Sequence, residues 1–108
     1  MQRPARERRK YPRIETSQMV AVARVEEVRR IAHGRDLSAG GIRFELVSAE
    51  IEVGELLSVT FTVDGETLCA LGRVAWATEI DAFTSDVGLE FVEVEPRASE
   101  LLGKLDAA

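Results

Sequence analysis

Apolar and polar positions alternate along much of the chain, which is the period of strands with one buried face. The clearest case is Leu57, Val59, Phe61 and Val63 set between Ser58, Thr60 and Thr62. Asp64-Gly65 follows, a dipeptide favoured in two-residue hairpin turns because both central positions tolerate φ > 0. The return strand is predicted from about Thr67 to Thr78, with Leu68, Ala70, Gly72, Val74 and Trp76 on one parity. Trp76 reads as a core or rim packing residue, a stacking platform being the other reading. Met19–Val25 and about Val28–Arg35 read as the first two strands, with a bend near Glu26-Glu27. Ile42-Arg43-Phe44-Glu45-Leu46 reads as the third. A loop from about Ser48 to Gly54 precedes the Leu57 strand, and turn-prone residues Asp81 to Asp86 lead to a last strand in which Val87, Leu89 and Phe91 alternate with Gly88, Glu90 and Val92.

Pro96 opens a short helix, where its missing N–H costs little. Ala98, Leu101, Leu102 and Leu105 fall at i, i+3, i+4 and i+7, a single apolar stripe that must find a partner. It reads as a lid over one end of the β-structure, with a dimer contact as the alternative. Six short strands and a terminal helix predict a small antiparallel barrel or sandwich, and closure into a barrel would remove exposed strand edges.

Between the second and third strands lies Asp36-Leu37-Ser38-Ala39-Gly40-Gly41, which reads as a tight polar turn. Asp and Ser hydrogen-bond locally, and paired glycines supply φ > 0 or let a ligand approach the backbone. A carboxylate, a hydroxyl and bare backbone would then share one rim.

The 108 residues suit a single domain, and no apolar run reaches the roughly 18 to 20 residues needed to cross a bilayer. The basic N-terminus lacks the apolar segment of a signal peptide, so a cytoplasmic location is expected. Cys69 is the only cysteine and lies in an apolar run, which reads as a buried strand residue.

Charge adds more than its total of -5 suggests. Residues 1–13 hold six cations against Glu7, a net +5, whereas residues 14–108 carry eight cations against eighteen carboxylates, a net −10. A cationic arm on an acidic body invites phosphate but lacks the broad basic face that duplex binding needs. Tyr11-Pro12 stiffens the approach to the body. Arg9 and Arg13 bracket that dipeptide and fall on one side of an extended chain, about 13 Å apart.

The residues offer little for catalysis. His33, the only histidine, is a neighbour of Asp36 and Ser38 on one strand and turn, and these do not converge as a triad requires. One Cys and one His leave no metal-ligand set, and there is no phosphate-binding glycine loop with its lysine. An arginine pair and a carboxylate-hydroxyl turn remain. Arginine's planar fork matches phosphate oxygens and the O6/N7 edge of guanine, while a carboxylate accepts from guanine N1–H and its exocyclic amine. Ser38 gives or takes one bond, and Gly40-Gly41 leave room for a flat base.

Arg9-Lys10-Tyr11-Pro12-Arg13 followed by Asp36-Leu37-Ser38-Ala39-Gly40-Gly41 resembles the PilZ domains, bacterial receptors for cyclic di-GMP. Their pattern is Arg-x-x-x-Arg and then Asp/Asn-x-Ser-x-x-Gly. Gly72-Arg73-Val74-Ala75-Trp76 and Gly88-Leu89-Glu90-Phe91 extend the likeness over about residues 8 to 105. The resemblance implies a six-stranded antiparallel β-barrel with one C-terminal helix and no enzymatic activity. It implies a flexible basic arm over 1–8 and one PilZ-like domain over 9–108, with no output module attached. It makes Arg9 and Arg13 the phosphate and guanine clamps, Asp36 and Ser38 the base readers, and Gly41 the close-approach glycine beside Gly40. An arginine directly before the motif, here Arg8, goes in that family with two stacked cyclic di-GMP molecules instead of one. No other cofactor or metal is implied. The expected partners are the nucleotide and an unnamed downstream protein, with the chain a monomer or weak homodimer and no membrane contact. Two other readings stay open: a barrel that answers to a protein and binds no nucleotide, and a single-stranded nucleic-acid binder, which the acidic body and few aromatics disfavour.

Overall fold

A computed structural model of the chain describes residues 14–24, 30–47 and 50–107. Six antiparallel strands, β1 (Ile14–Arg24), β2 (Arg30–Ser38), β3 (Gly41–Val47), β4 (Leu56–Val63), β5 (Glu66–Glu79) and β6 (Thr84–Val94), precede one helix, α1 (Pro96–Ala107). They close into a barrel in the order β1-β2-β3-β6-β5-β4. The expected architecture is therefore present, in its closed form.

Alternation places Leu57, Val59, Phe61 and Val63 inside, each 6% exposed or less. Facing them are Ile42, Phe44 and Leu46 of β3 and Val87 and Leu89 of β6, all buried. The Phe61 and Phe91 rings stack with centroids 5.7 Å apart. Ala98, Leu101 and Leu102 of α1 are at most 1% exposed and belong to the same core, so the helix stripe serves the barrel, as the lid reading expects. The Leu105 side chain lies outside the described positions.

The strand registers define two ends. At one end lie the start of β1, the β2–β3 turn and the β4–β5 turn. At the other, the β3–β4 loop approaches the β5–β6 hairpin. β1 begins at Ile14, five residues before the expected Met19, and pairs Ile14 with Leu37 and Glu15 with Asp36.

Three sequence expectations are corrected. The turn between β2 and β3 comprises Ala39 and Gly40 only, because Asp36, Leu37 and Ser38 pair with Arg43, Ile42 and Gly41 as the end of the ladder. Cys69 is exposed, not buried: it falls on the opposite parity from the inward Leu68 and Ala70, and parity outranks local apolarity on a two-faced strand. Trp76 leaves the parity of Val74, because Val74 pairs with Leu89 and Trp76 with the adjacent Gly88, so Ala75 is an extra residue. That bulge turns Trp76 outward, 37% exposed.

Candidate functional site

A second bulge sets the site. In β2, Ala32 and Gly34 are buried, and strict alternation would send Asp36 into the core after them. Instead Gly34 pairs with Phe44 and Asp36 with Arg43, which leaves Arg35 as the extra residue. Leu37 takes the inward position at 4% exposure. Asp36 is thereby aimed at the outer face, while Arg35 pairs outside with Glu45 at 2.9 Å.

Register then lines up one row across four strands: Asp36 on β2, Arg43 on β3, Gly88 on β6 and Trp76 on β5. At about 4.8 Å per strand the row is roughly 14 Å wide. Arg43 Nε donates to Asp36 Oδ2 at 2.7 Å, and its Nη1 donates to Asp86 Oδ2 at 3.1 Å. The Asp36 hydrogen bond is the main reason the guanidinium is held protonated more firmly than usual. Arg43 thus ties together two carboxylates that would otherwise repel. Gly88 is covered by the Trp76 indole: a Cβ there would fall 2.2 Å from Trp76 Nε1. The Trp–Gly pair packs an aromatic flat against a strand and leaves part of its face to solvent. Both bulges therefore deliver a side chain to the same row.

Next to the row, Ser38 is 3% exposed and its Oγ accepts from Gly40 N–H at 3.2 Å, which closes the turn. Gly40 O accepts from Phe91 N–H at 2.9 Å, so the turn is fastened to β6. A Cβ at Gly41 would lie 2.2 Å from Leu89 O, and the residue is not in the left-handed region. Its lack of a side chain serves β6 packing, where the sequence reading assigned it to turn conformation or ligand approach. Asp36, Ser38, Gly40 and Gly41 are brought together within one hairpin end. Arg8, Arg9 and Arg13 lie outside the described residues. His33 pairs across β1, its Nε2 3.3 Å from Ser17 Oγ.

Sequence reasoning missed Arg43 as a site residue and gave Trp76 the parity of Val74, although its rim-packing reading agrees with the indole lying over Gly88. The mixed alternation of Ile42-Arg43-Phe44 was the available signal for Arg43, since an outward cation two places after Gly41 must neighbour an outward residue of β2. For Trp76 no local signal marks the bulge.

The family model of the PilZ domain matches residues 7–105. The chain belongs to the PilZ domain family. Among curated proteins none matches it. Among solved structures, this PilZ domain is similar to the Bacillus subtilis inhibitor of motility MotI/DgrA, with TM-score 0.72 and 22% identity over 91% of this chain and 49% of that one. It is also similar to the PilZ domain of YcgR from Escherichia coli with c-di-GMP, with TM-score 0.69 and 18% identity over 93% and 89% of the two chains. A third is the Borreliella burgdorferi PlzA protein in complex with c-di-GMP, with TM-score 0.67 and 14% identity over 94% and 42%. The chain spans about half the length of MotI and less of PlzA. At these identities the likeness establishes the fold. No helix among the described residues of this PilZ domain is long and apolar enough to cross a membrane.

Proposed function

We propose that this PilZ domain is a non-catalytic receptor for cyclic di-GMP, gripped by Arg9 and Arg13 against the Asp36–Ser38 corner. The observation that carries the reading is the pairing of Ile14 with Leu37 and of Glu15 with Asp36. Covalent continuity alone keeps the Arg13 Cα about 3.8 Å from that of Ile14, and Arg9 within roughly 18 Å of it. Both cations of the motif are thus tethered within reach of the carboxylate with which they would share a ligand. The matching PilZ structures with c-di-GMP support the same ligand class.

In this reading Asp36 accepts from the guanine N1–H and amine, and an arginine fork donates to O6 and N7 or to phosphate. The Asp36 carboxylate accepts from Arg43 Nε through Oδ2. Arg43 fixes the carboxylate's orientation and adds a third cation, and the Trp76 face offers an apolar surface on the same row. Arg8 supplies the further charge that a second stacked nucleotide requires. Ordering of the arm onto the nucleotide presents a new surface to a downstream protein, and that surface is the signal. Each backbone residue ordered costs about 1 to 2 kcal/mol, which several charge-assisted bonds of roughly 1.5 to 3 kcal/mol offset.

Calorimetric titration with cyclic di-GMP tests the reading. Arg9→Ala or Arg13→Ala should weaken binding at least about tenfold and leave the melting temperature of the free protein unchanged. Arg8→Ala should lower the stoichiometry from two molecules to one. Cyclic di-AMP, which lacks the O6 acceptor and the N1–H donor, should bind far more weakly. An unchanged affinity in both arginine variants removes the clamp. Absence of any nucleotide binding favours the alternative of a PilZ-fold interaction module, a reading to which the internal bonds of Ser38 and Asp36 lend their weight.

A further inference from the structure

The barrel end opposite the β2–β3 turn carries a cleft of about 560 Å³ between the β3–β4 loop and the β5–β6 hairpin. Its apolar lining comes from Ile51, Ala77, Ala82 and Phe83, and Glu50, Glu52, Glu79 and Asp81 line it as well. None of the described lining residues is basic. Glu50, Glu52 and Glu79 enter no ion pair among the described residues.

Phe83 is 71% exposed, and Val53 and Ile80 on the same two loops are 67% and 52% exposed. An aromatic that contributes so little to the core is a cost in water unless something covers it. The backbone that carries it is nevertheless fixed. Asp81 Oδ1 accepts from the N–H groups of Phe83 at 2.8 Å and Thr84 at 2.9 Å, and Ile80 N–H donates to Thr84 O at 2.9 Å. Across the cleft, Gly54 N–H donates to Val74 O and Val74 N–H to Glu55 O, each at 2.8 Å. Glu55 receives the Arg24 guanidinium and the Glu52 N–H. Both walls are therefore built before any partner arrives, which lowers the ordering cost of binding.

We propose that this cleft docks a basic segment of a partner protein, one that carries lysine or arginine beside an apolar side chain. Charge complementarity selects the occupant: three carboxylates with no ion partner among the described residues stand beside the apolar side chains of Ile51 and Phe83, and a cation whose alkyl stem crosses the Phe83 ring satisfies both. The chain's own basic residues 1–13 are a poor occupant in cis, because they join the barrel at Ile14, at the opposite end. The cleft shares no residue with the Asp36 corner, so a nucleotide and this partner can be held together. The inference does not depend on nucleotide recognition.

A synthetic peptide of alternating lysine and leucine, titrated into the 15N-labelled chain, is the probe. A glutamate–leucine peptide and a lysine–serine peptide are the controls. Shift changes confined to residues 50–55 and 77–85 are expected with the first peptide and not with the other two. Glu52→Lys, Glu79→Lys and Phe83→Ser, all at exposed positions, should each weaken that binding at least about fivefold, with cyclic di-GMP titration unaltered. The proposal is overturned by no binding, by equal binding of the glutamate peptide, by shifts mapping elsewhere, or by variants that bind as the parent does. Sedimentation showing that a second copy fills the cleft overturns it as well.

Discussion

The β2–β3 and β4–β5 turns lie at the same end of the barrel, and both contain glycine. In the β4–β5 turn Asp64 has φ 50° and Gly65 φ 79°, and nothing stands within 4 Å of where a Gly65 Cβ would be. That glycine answers to backbone conformation and to no neighbour. After the β2–β3 turn, Gly41 has no left-handed φ, yet its missing Cβ is demanded by Leu89 O across β3 and β6. One turn is solved within its own residues and the other by the strand beside it. The second kind holds Asp36, Ser38 and the Gly40 carbonyl to the barrel wall, which is what a recognition corner needs and a plain reversal does not.

Substitutions can break this contrast. Gly41→Ala should have the largest effect, because backbone must move to admit the methyl group. We expect a loss of about 3 kcal/mol, on the order of 15 °C in Tm by thermal unfolding. A loss no greater than that of Gly65→Ala would mean that the two glycines do the same work. Arg43→Ala comes next: it leaves Asp36 and Asp86 facing each other, and after allowance for partial exposure should cost about 1.5 kcal/mol and weaken cyclic di-GMP binding. Unchanged nucleotide affinity in a folded Arg43→Ala protein would separate that ion network from recognition. Gly65→Ala, strained only in φ, should cost about 1 kcal/mol in denaturant titration and leave nucleotide affinity intact.

The smallest effect distinguishes the two ends of the barrel. The Arg24 hydrogen bond holds the Glu55 carboxyl below the usual glutamate range. Because the folded value is the lower one, this stabilisation is complete above the ordinary glutamate pKa and disappears as pH falls through the depressed folded-state value. Amide protection factors over residues 50–55, which divide out the intrinsic pH dependence of exchange, should therefore fall in acid, and Glu55→Gln should flatten that dependence by less than about 1 kcal/mol. The Gly65 and Gly41 turns should not follow the same profile.

Strand number, the Asp64-Gly65 reversal and the helix stripe were legible because each is a local pattern: period two, a dipeptide with φ > 0, and i, i+3, i+4 spacing. The cluster of Asp36, Ser38, Gly40 and Gly41 was legible for the same reason, being contiguous. Its internal form was not. Local residue chemistry reads Asp36 and Leu37 as turn, whereas ladder bonds to β3 keep them in strand. Cys69 was misread from its neighbours' apolarity, and Trp76 from a parity that Ala75 interrupts. The exposed cleft at the far end had no signature, since its walls come from two segments some thirty residues apart.

From its residues alone, then, the chain determines six alternating strands, a closing helix, a basic first thirteen residues on an acidic remainder, and the paired motifs that mark a PilZ domain. Tertiary structure decided which way the side chains of Asp36 and Trp76 point. The bulges at Arg35 and Ala75 each insert one residue against a partner strand, and in a lattice of period two a single insertion exchanges inside for outside. That inversion depends on pairing between strands far apart in sequence, and it carries Asp36 and Trp76 to one row on the outer face of the barrel.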